Sequence, residues 1–315
     1  MTPTASSAPS PTRSERIGLA YTLAAFLMWG VFPIYWKALS GVDPLTILAH
    51  RILWSGVFGF VMLRLLRTRG LGALFTRGPA LAAVAVSGLL VGVNWFLYIF
   101  AVNSGHTVEA SLGYYMTPVC NVTLGVLFLR ERPGPLQWGA IACSLVGVGV
   151  LVVGVGHVPW LSLALMITFG LYGLMKKITR TDALVQLTGE TFLLAPAALL
   201  VVAWPYLAGG SLGAVFGWAP TDPSGLFQLG HGTAETILLV VAGPVTALPL
   251  WWYAEGARRI PLSTVGVLQF VSPSLQLGMG VLVFGEPFGS AQALAFAFIW
   301  AGLALYVFSF WHRRP

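Results

Sequence analysis

The stretch at residues 114–137, YYMTPVCNVTLGVLFLRERPGPLQ, returns in altered form at residues 269–292, as QFVSPSLQLGMGVLVFGEPFGSAQ. At this offset of 155 residues, several residues recur unchanged and three further polar positions stay polar. The second copy lies five hydrophobic segments after the first, so the two copies cross a membrane in opposite directions. The unchanged pairs are Pro118/Pro273, Gly125/Gly280, Val126/Val281, Glu131/Glu286 and Gln137/Gln292, and the polar pairs are Tyr114/Gln269, Thr117/Ser272 and Asn121/Gln276.

The composition makes lipid the solvent for most of this chain. Of 315 residues, 57% are hydrophobic and only 9% are charged, whereas soluble domains are about 25% charged. We therefore predict an all-α membrane protein with ten transmembrane helices. Runs long enough to cross a hydrocarbon core of about 30 Å occur at 17–38, 44–66, 79–101, 109–129, 135–155, 159–175, 184–207, 234–254, 261–284 and 288–310.

The repeat extends over two inverted halves of five helices each. Asp43 and Arg51 align with Asp182 and Glu190 at an offset of 139. From the third segment onward the offset is 155, and a loop rich in Gly, Pro and Ser at 208–233 accounts for the difference. The polar, Pro-rich start of the chain has the composition of a disordered segment. We predict a disordered cytoplasmic tail at 1–16, a first repeat at 17–155 and a second at 159–312.

The net charge of +7 indicates topology and not a nucleic-acid partner. With a cytoplasmic N-terminus, Lys37 is the lone basic residue in an outside position, and Arg51 lies within the second segment. Such a bias of Lys and Arg toward inside loops is the usual signal of orientation, so we predict that both termini are cytoplasmic. The inside residues are Arg13, Arg16, Arg64, Arg67, Arg69, Arg77, Arg130, Arg132, Lys176, Lys177, Arg180, Arg258, Arg259, Arg313 and Arg314.

Motifs for enzymatic chemistry are absent from the sequence. There is no G-x-x-x-x-G-K-[ST] phosphate loop and no H-E-x-x-H metal motif, and the five histidines are scattered. Cys120 and Cys143 both fall inside hydrophobic segments and indicate neither a disulfide nor a metal site. We predict that the protein is not an enzyme and uses no metal or cofactor.

Two charged residues lie deep in predicted spans. Arg51 is about eight residues into the second segment, and Glu190 lies at the matched depth of its inverted partner. At 1.5 Å per residue, their depths differ by only about 6 Å across a core of about 30 Å. Because a lone central arginine costs roughly 2.5–3.5 kcal/mol, we predict that Arg51 and Glu190 form an ion pair or face an aqueous cavity. A static structural pair or snorkelling remains the alternative.

Polar residues form stripes on three helix faces. Two of these stripes occupy equivalent positions of the inverted halves, at i, i+3 and i+7. A single stripe usually serves hydrogen bonding between helices, but an equivalent pair indicates a common central pathway. The residues predicted to line this pathway are Asn94, Tyr98, Tyr114, Thr117, Asn121, Gln269, Ser272 and Gln276.

Proline and small residues suggest how the helices move and pack. Pro118 and Pro273 recur in both halves and are predicted hinges, because a proline inside a span removes a backbone hydrogen bond. Small residues at every fourth position allow close helix approach, either within each half or at a homodimer seam, so monomer and homodimer both remain open. These stripes are Gly139, Cys143 and Gly147, and Ala293, Ala297 and Ala301.

Several local strings resemble one family. The strings HRILWS at 50–55, NW at 94–95 with AVN at 101–103, and EASLGY at 109–114 resemble the RarD group of EamA-type transporters, in the drug/metabolite transporter superfamily. So do FLRER at 128–132, Glu190-Thr191 and the segment 262–269. The resemblance runs from about 17 to 312 and implies ten helices, inverted halves, a bacterial inner membrane and a small organic solute.

The resemblance also limits the coupling mechanism. Small multidrug exporters of the superfamily use a glutamate in the first helix, but residues 17–36 contain no acid. Glu190 is the acid that lies deep in a span, so it is the candidate for proton coupling.

Inverted repeats around a polar site are typical of secondary transporters. We therefore predict a carrier that exports small amphipathic metabolites or drugs, such as amino-acid-like or amine compounds, as its two halves rock about Pro118 and Pro273. The alternative from another class is an intramembrane lipid-modifying enzyme or a lipid-handling protein.

Overall fold

The computed structural model describes residues 12–76, 78–130, 134–179, 181–209, 212–215, 233–260, 264–265 and 268–312. The regular structure of these residues is entirely helical, which confirms the predicted all-α class. The helices are α1 (Arg13–Lys37), α2 (Pro44–Leu65), α3 (Leu71–Thr76), α4 (Gly78–Asn103), α5 (Thr107–Leu129), α6 (Pro135–Val155), α7 (Trp160–Thr179), α8 (Ala183–Ala208), α9 (Leu212–Val215), α10 (Thr233–Ala257), α11 (Val271–Gly278, continued by a π-helical turn over Met279–Val283) and α12 (Ser290–His312).

Seven of the described helices are long and apolar enough to cross a membrane, and two shorter apolar segments, Trp160–Lys176 and Val271–Val283, accompany them. Large apolar side chains cover the outside: Leu282 and Val153 are each 84% exposed, and Leu207 is 74% exposed. This surface suits lipid and not water. The membrane fold is thus confirmed, whereas the number of ten spans stays a prediction.

Helix starts follow local sequence signals. Thr12 caps α1, because its hydroxyl accepts from the backbone N–H of Glu15 while the Glu15 carboxylate accepts from the backbone N–H of Thr12. Asp43 and Asp182, aligned by the repeat, cap α2 and α8 in the same way, each accepting from the N–H two residues later. The first helix therefore begins four residues before its predicted start, and residues 12–16 are not part of a disordered tail. Residues 1–11 lie outside the described part of the chain.

The packing of the helices follows the alignment of the two predicted repeats. Helix α2 packs on its counterpart α8, and α6 packs on its counterpart α12. The other main contacts occur in pairs that the repeat relates: replacing each helix of one contact by its counterpart in the other repeat gives the second contact. These pairs are α5–α7 with α11–α1, α4–α7 with α10–α1, and α4–α8 with α10–α2. All of these contacts join one predicted repeat to the other, so the two repeats interdigitate instead of forming separate bundles.

The ninth predicted segment, 261–284, differs from a continuous helix. Gln269 and Phe270 form a turn, α11 begins at Val271, and a π-helical turn ends the element. Just after the C-terminal end of this element, the Glu286 carboxylate accepts from the backbone N–H groups of Thr107 at 2.8 Å and Val108 at 2.7 Å. This contact satisfies two orphan donors at the start of α5, and it ties the loop after α11 to that helix. Glu131, the counterpart of Glu286, lies outside the described residues.

Candidate functional site

Glu190 is fully buried and fully engaged. It lies on the second turn of α8, where Asp182 starts the helix. Its carboxylate accepts hydrogen bonds from Ser87 and, at 3.1 Å, from the Tyr172 hydroxyl, and it forms an ion pair with Lys176 at 3.1 Å. Gln186 in turn donates to the Ser87 hydroxyl at 3.2 Å. Such a complete set of partners offsets the large cost of burying a carboxylate.

Arg51 is also buried, with 4% of its surface exposed, but its partners are of another kind. Its Nε donates to the Thr246 hydroxyl at 2.9 Å. Its guanidinium carbon lies 4.8 Å from the ring centroid of Trp36 and 4.1 Å from that of Trp95, within the range of cation–π attraction. Among the described residues, its Nη1 has no hydrogen-bond partner and no carboxylate lies within ion-pair distance.

The predicted ion pair between Arg51 and Glu190 is therefore corrected: Glu190 pairs with Lys176, and Arg51 with Thr246 and two indoles. The reason is the level at which α2 and α8 meet. A side chain built at Gly59 would touch Thr188, and one built at Gly56 would touch Thr191 and Phe192. Glu190, which lies between these contacts in sequence, is therefore at the level of residues 56–59 of α2, five to eight residues beyond Arg51, or about 8–12 Å along the helix. Its side chain points toward α4 and α7.

Three residues of the predicted pathway come together. Asn94 donates from its amide nitrogen to the Leu165 carbonyl at 3.1 Å and to the Thr168 hydroxyl at 3.0 Å, and its carbonyl oxygen accepts from the Tyr114 hydroxyl at 3.1 Å. The Tyr98 and Tyr114 rings meet edge to face, with centroids 5.6 Å apart. Asn94, on α4, thereby connects α5 to α7.

The rest of the first stripe does not join this cluster. The Thr117 hydroxyl donates to the Gly113 carbonyl one turn earlier in its own helix, at 3.3 Å. Asn121 is exposed on the surface of α5. Only Tyr114, the N-terminal residue of this stripe, therefore belongs to the cluster around Asn94.

The second stripe forms a separate tie to α1. Gln276 donates to the Trp29 carbonyl at 3.1 Å and to the Ser272 hydroxyl at 3.2 Å, while its side-chain oxygen has no partner among the described residues. Gln269 is half-buried in the turn before α11. The structure does not bring the two stripes into one cluster, although Tyr115 and Ser274, their neighbours in sequence, share a hydrogen bond of 2.5 Å between α5 and α11.

The two predicted hinges differ in their local structure. Pro118 lies inside the continuous helix α5, where its missing N–H leaves a carbonyl of the preceding turn unbonded. Pro273 is the third residue of α11, a first-turn position at which no intrahelical N–H bond is lost. The break in the second half is thus the turn at Gln269 and Phe270, just before the proline.

Sequence reasoning missed the partners of both buried charges. Lys176 counted only as a topology signal, yet it shares a face of α7 with Tyr172 at i, i+4, which is a recognisable helical pattern. Ser87 and Thr246 are single hydroxyls in apolar spans, and nothing in their neighbourhood in sequence distinguishes them. Trp36 is completely buried and contacts Arg51.

Comparisons with known proteins agree with this architecture. The EamA-like transporter family matches residues 16–153, nearly the same range as the first predicted repeat. A solved crystal structure superposes with a TM-score of 0.59 over 96% of this chain and 100% of its own, and at 22% identity it supports the fold alone.

Relatives of known name cover almost the whole chain. An uncharacterized transporter of Pseudomonas aeruginosa is 40% identical over 95% of this chain and 96% of its own length. Protein RarD of Escherichia coli is 35% identical over 94% of this chain and 95% of its own. The chloramphenicol-sensitive protein RarD of Pseudomonas aeruginosa is 30% identical over 91% and 92%. The chain therefore belongs to the RarD group of EamA-type transporters, multi-pass proteins of the bacterial inner membrane.

Proposed function

We propose that this transporter is a secondary carrier that exports small amphipathic metabolites or drugs, amino-acid-like or amine compounds among them, by alternating access. The observation that carries the proposal is that buried polar side chains join the predicted repeats to each other. Asn94 bonds from the first repeat to α7, and Gln276 bonds from the second repeat to α1. Membrane hydrogen bonds of this kind are worth about 0.6 kcal/mol each, so they hold one state without locking it.

The motion that we propose is bending within helices. Because the repeats interdigitate through α2–α8 and the exchanged pairs, rigid rotation of one whole repeat would break most of the packing. Bending at Pro118 in α5 and at the turn before Pro273 leaves the α2–α8 contact in place. Discontinuous helices are common around transporter sites, and the two polar stripes flank both of these positions.

Counterflow in proteoliposomes tests the carrier function. Vesicles loaded with unlabelled solute should take up labelled solute transiently, with saturation, when the purified protein is present. A panel of amino acids and cationic drugs covers the proposed substrates. A lipid-modifying enzyme would instead release a product and show no counterflow, so that outcome would refute the carrier.

We also propose that Glu190 couples transport to protons. Its carboxylate faces Lys176, Tyr172 and Ser87, and it lies deep in α8. A proton taken up by this carboxylate would break the ion pair with Lys176 and so alter the contact between α7 and α8. If so, flux should depend on pH, and Glu190→Gln should remove that dependence. Flux with the same pH profile in wild type and Glu190→Gln would exclude this role.

The orientation that we propose places both termini in the cytoplasm. Reporter fusions after residues 16 and 312 should then report a cytoplasmic location, and a fusion in the 208–233 loop should report the outside. A C-terminus on the outside would contradict an inverted repeat of five and five helices.

A further inference from the structure

We propose that Arg51 and its surroundings bind the carboxylate of an organic acid or amino acid, a narrower substrate class that rests on the carrier function proposed above. The site comprises Arg51, Trp36, Trp95, Tyr98 and Thr246. It lies where α1, α2, α4 and α10 meet. Tyr98 belongs to the same packed core cluster as Trp36.

Three hydrogen-bonding groups of this site lack a partner within the described part of the chain. Among the described residues, Arg51 Nη1, the Trp36 indole N–H and the Tyr98 hydroxyl all lack a partner. Each of these side chains is at least nine-tenths buried, with exposures of 4%, 0% and 3%. Arginine and tryptophan are donors only, and tyrosine can also donate. Three unmatched donors in one region fit a ligand that brings acceptors.

The buried positive charge of Arg51 also favours a ligand with a negative charge. Arg51 is a buried cation without a carboxylate at ion-pair distance in the described chain, and a charge in that position is costly unless a counter-charge arrives. Thr246 occupies Nε, and Nη1 is the nitrogen that has no partner in the described chain and is left to a ligand. A carboxylate matches the planar geometry of a guanidinium.

The partners of the buried acidic residues favour an acidic solute over an amine. The three buried acids of the described chain already have partners: Asp43 accepts from the Leu45 N–H, Glu190 pairs with Lys176, and Glu286 accepts from Thr107 and Val108. Glu235 keeps one buried carboxylate oxygen without a partner in the described chain, but it lies in the first turn of α10, eleven residues or about 16 Å along the helix from Thr246. An amine beside Arg51 would therefore meet the cation without a carboxylate close enough to oppose it. A zwitterion or an acid meets a complementary charge instead.

The aromatic surroundings indicate the rest of the solute. The Trp36 and Trp95 rings contact the guanidinium, and the Tyr98 ring packs edge to face on Tyr114. These faces offer apolar contact beside the charge. The site therefore fits an acid with an apolar or aromatic body, in agreement with an amphipathic solute.

The test compares three probes of matched size: 3-phenylpropionate, phenylalanine and 2-phenylethylamine. Binding to the purified full-length protein in detergent is measured by tryptophan fluorescence and by thermal stabilisation at constant ionic strength. Both carboxylates should bind, and the amine should bind at least tenfold more weakly. Amine binding as tight as that of the acids would overturn the inference, and so would a failure of both acids to bind.

Variants connect any binding to this site. Tyr98→Phe removes one hydroxyl that has no partner in the ligand-free protein, so it should fold normally and weaken both carboxylates about tenfold, the scale of a hydrogen bond to a charged group. Arg51→Lys keeps the charge but loses the planar fork and should weaken them at least as much. Arg64→Gln is the matched control, because Arg64 lies exposed on the same helix. Carboxylate affinities that Tyr98→Phe and Arg51→Lys leave unchanged would refute the site.

Counterflow with the same three probes separates the two proposals. Saturable counterflow of the amine, with none for the acids, would leave the carrier function in place and refute the carboxylate site. A protein that binds the acids through Arg51 but shows counterflow with none of the probes would keep the site and count against the carrier.

Discussion

Arg51 and Glu190 occupy equivalent positions of the two repeats, yet their surroundings differ. Glu190 has an ion pair with Lys176 and hydrogen bonds from Tyr172 and Ser87. Arg51 has one hydrogen bond and two aromatic faces, and one of its nitrogens has no partner in the described chain. At equivalent positions of the two repeats, one buried charge thus has a complete set of partners and the other an incomplete set within the described chain. A solute with hydrogen-bond acceptors could supply the partner that Arg51 Nη1 lacks in the described chain.

The largest expected effect on stability is at the ion pair between Glu190 and Lys176. Glu190→Gln leaves the Lys176 ammonium without its counter-charge, and losing one partner of a buried pair costs about 3–5 kcal/mol. Because the Lys176 side chain is 23% exposed, we expect the lower end, about 3 kcal/mol. Thermal unfolding of the purified protein measures this, and Glu190→Gln/Lys176→Met should recover much of the loss. A double variant no more stable than the single one would show that the pair does not stabilise the fold.

The same measurement tests the corrected pairing. Arg51 and Glu190 have separate partners, so the effects of Arg51→Gln and Glu190→Gln should add within about 0.5 kcal/mol. A coupling energy well above that value would mean that the two side chains interact after all.

The next largest effect on stability is expected for alanine at Gly243, compared with alanine at Gly88, the glycine that the repeat aligns with it. A side-chain carbon at Gly243 would lie 2.3 Å from the Trp54 backbone, whereas one at Gly88 would lie 3.4 Å from the Glu190 carbonyl. Gly243→Ala should therefore destabilise by about 1–3 kcal/mol, the usual cost of overpacking, and Gly88→Ala by clearly less. Equal melting temperatures of the two variants would show that the α2–α10 contact is looser than the structure has it.

A smaller effect on stability is expected for substitution of Arg51. Arg51→Gln loses cation–π attraction worth up to about 2 kcal/mol and removes a burial cost of roughly 2.5–3.5 kcal/mol. These terms nearly cancel, so stability should change by about 1 kcal/mol or less. A loss as large as that of Glu190→Gln, measured by the same unfolding assay, would mean that the contacts of Arg51 stabilise the fold as strongly as those of Glu190.

The smallest effect on the ligand-free protein is expected for Tyr98→Phe. The hydroxyl has no partner among the described residues, and removing an unsatisfied buried group is neutral or favourable. The melting temperature should stay the same or rise slightly. A fall by several degrees would reveal a partner for this hydroxyl and weaken the case for a solute there.

Much of the fold could be predicted from local signals. Apolar runs of spanning length predicted helices, and Asp43 and Asp182 marked two helix starts because a capping side chain acts within its own turn. Asn94, Tyr98 and Tyr114, which are predicted to line one pathway, share a cluster in the structure, while their role in transport stays a prediction. Asn121 belongs to a predicted stripe but is exposed, because the pattern on one helix does not determine which of its residues the neighbouring helices cover.

The sequence by itself determined that this is a helical membrane transporter with polar residues repeated at equivalent positions, since composition, periodicity and similarity to the RarD group are properties of the chain alone. Only the tertiary structure decided which charges meet. Glycines at 56 and 59 let α8 approach α2 at one level, and that level moved Glu190 away from Arg51 and toward Lys176. The register of packed helices depends on how their side chains interdigitate across the contact. Depth estimated from each helix separately does not contain that information.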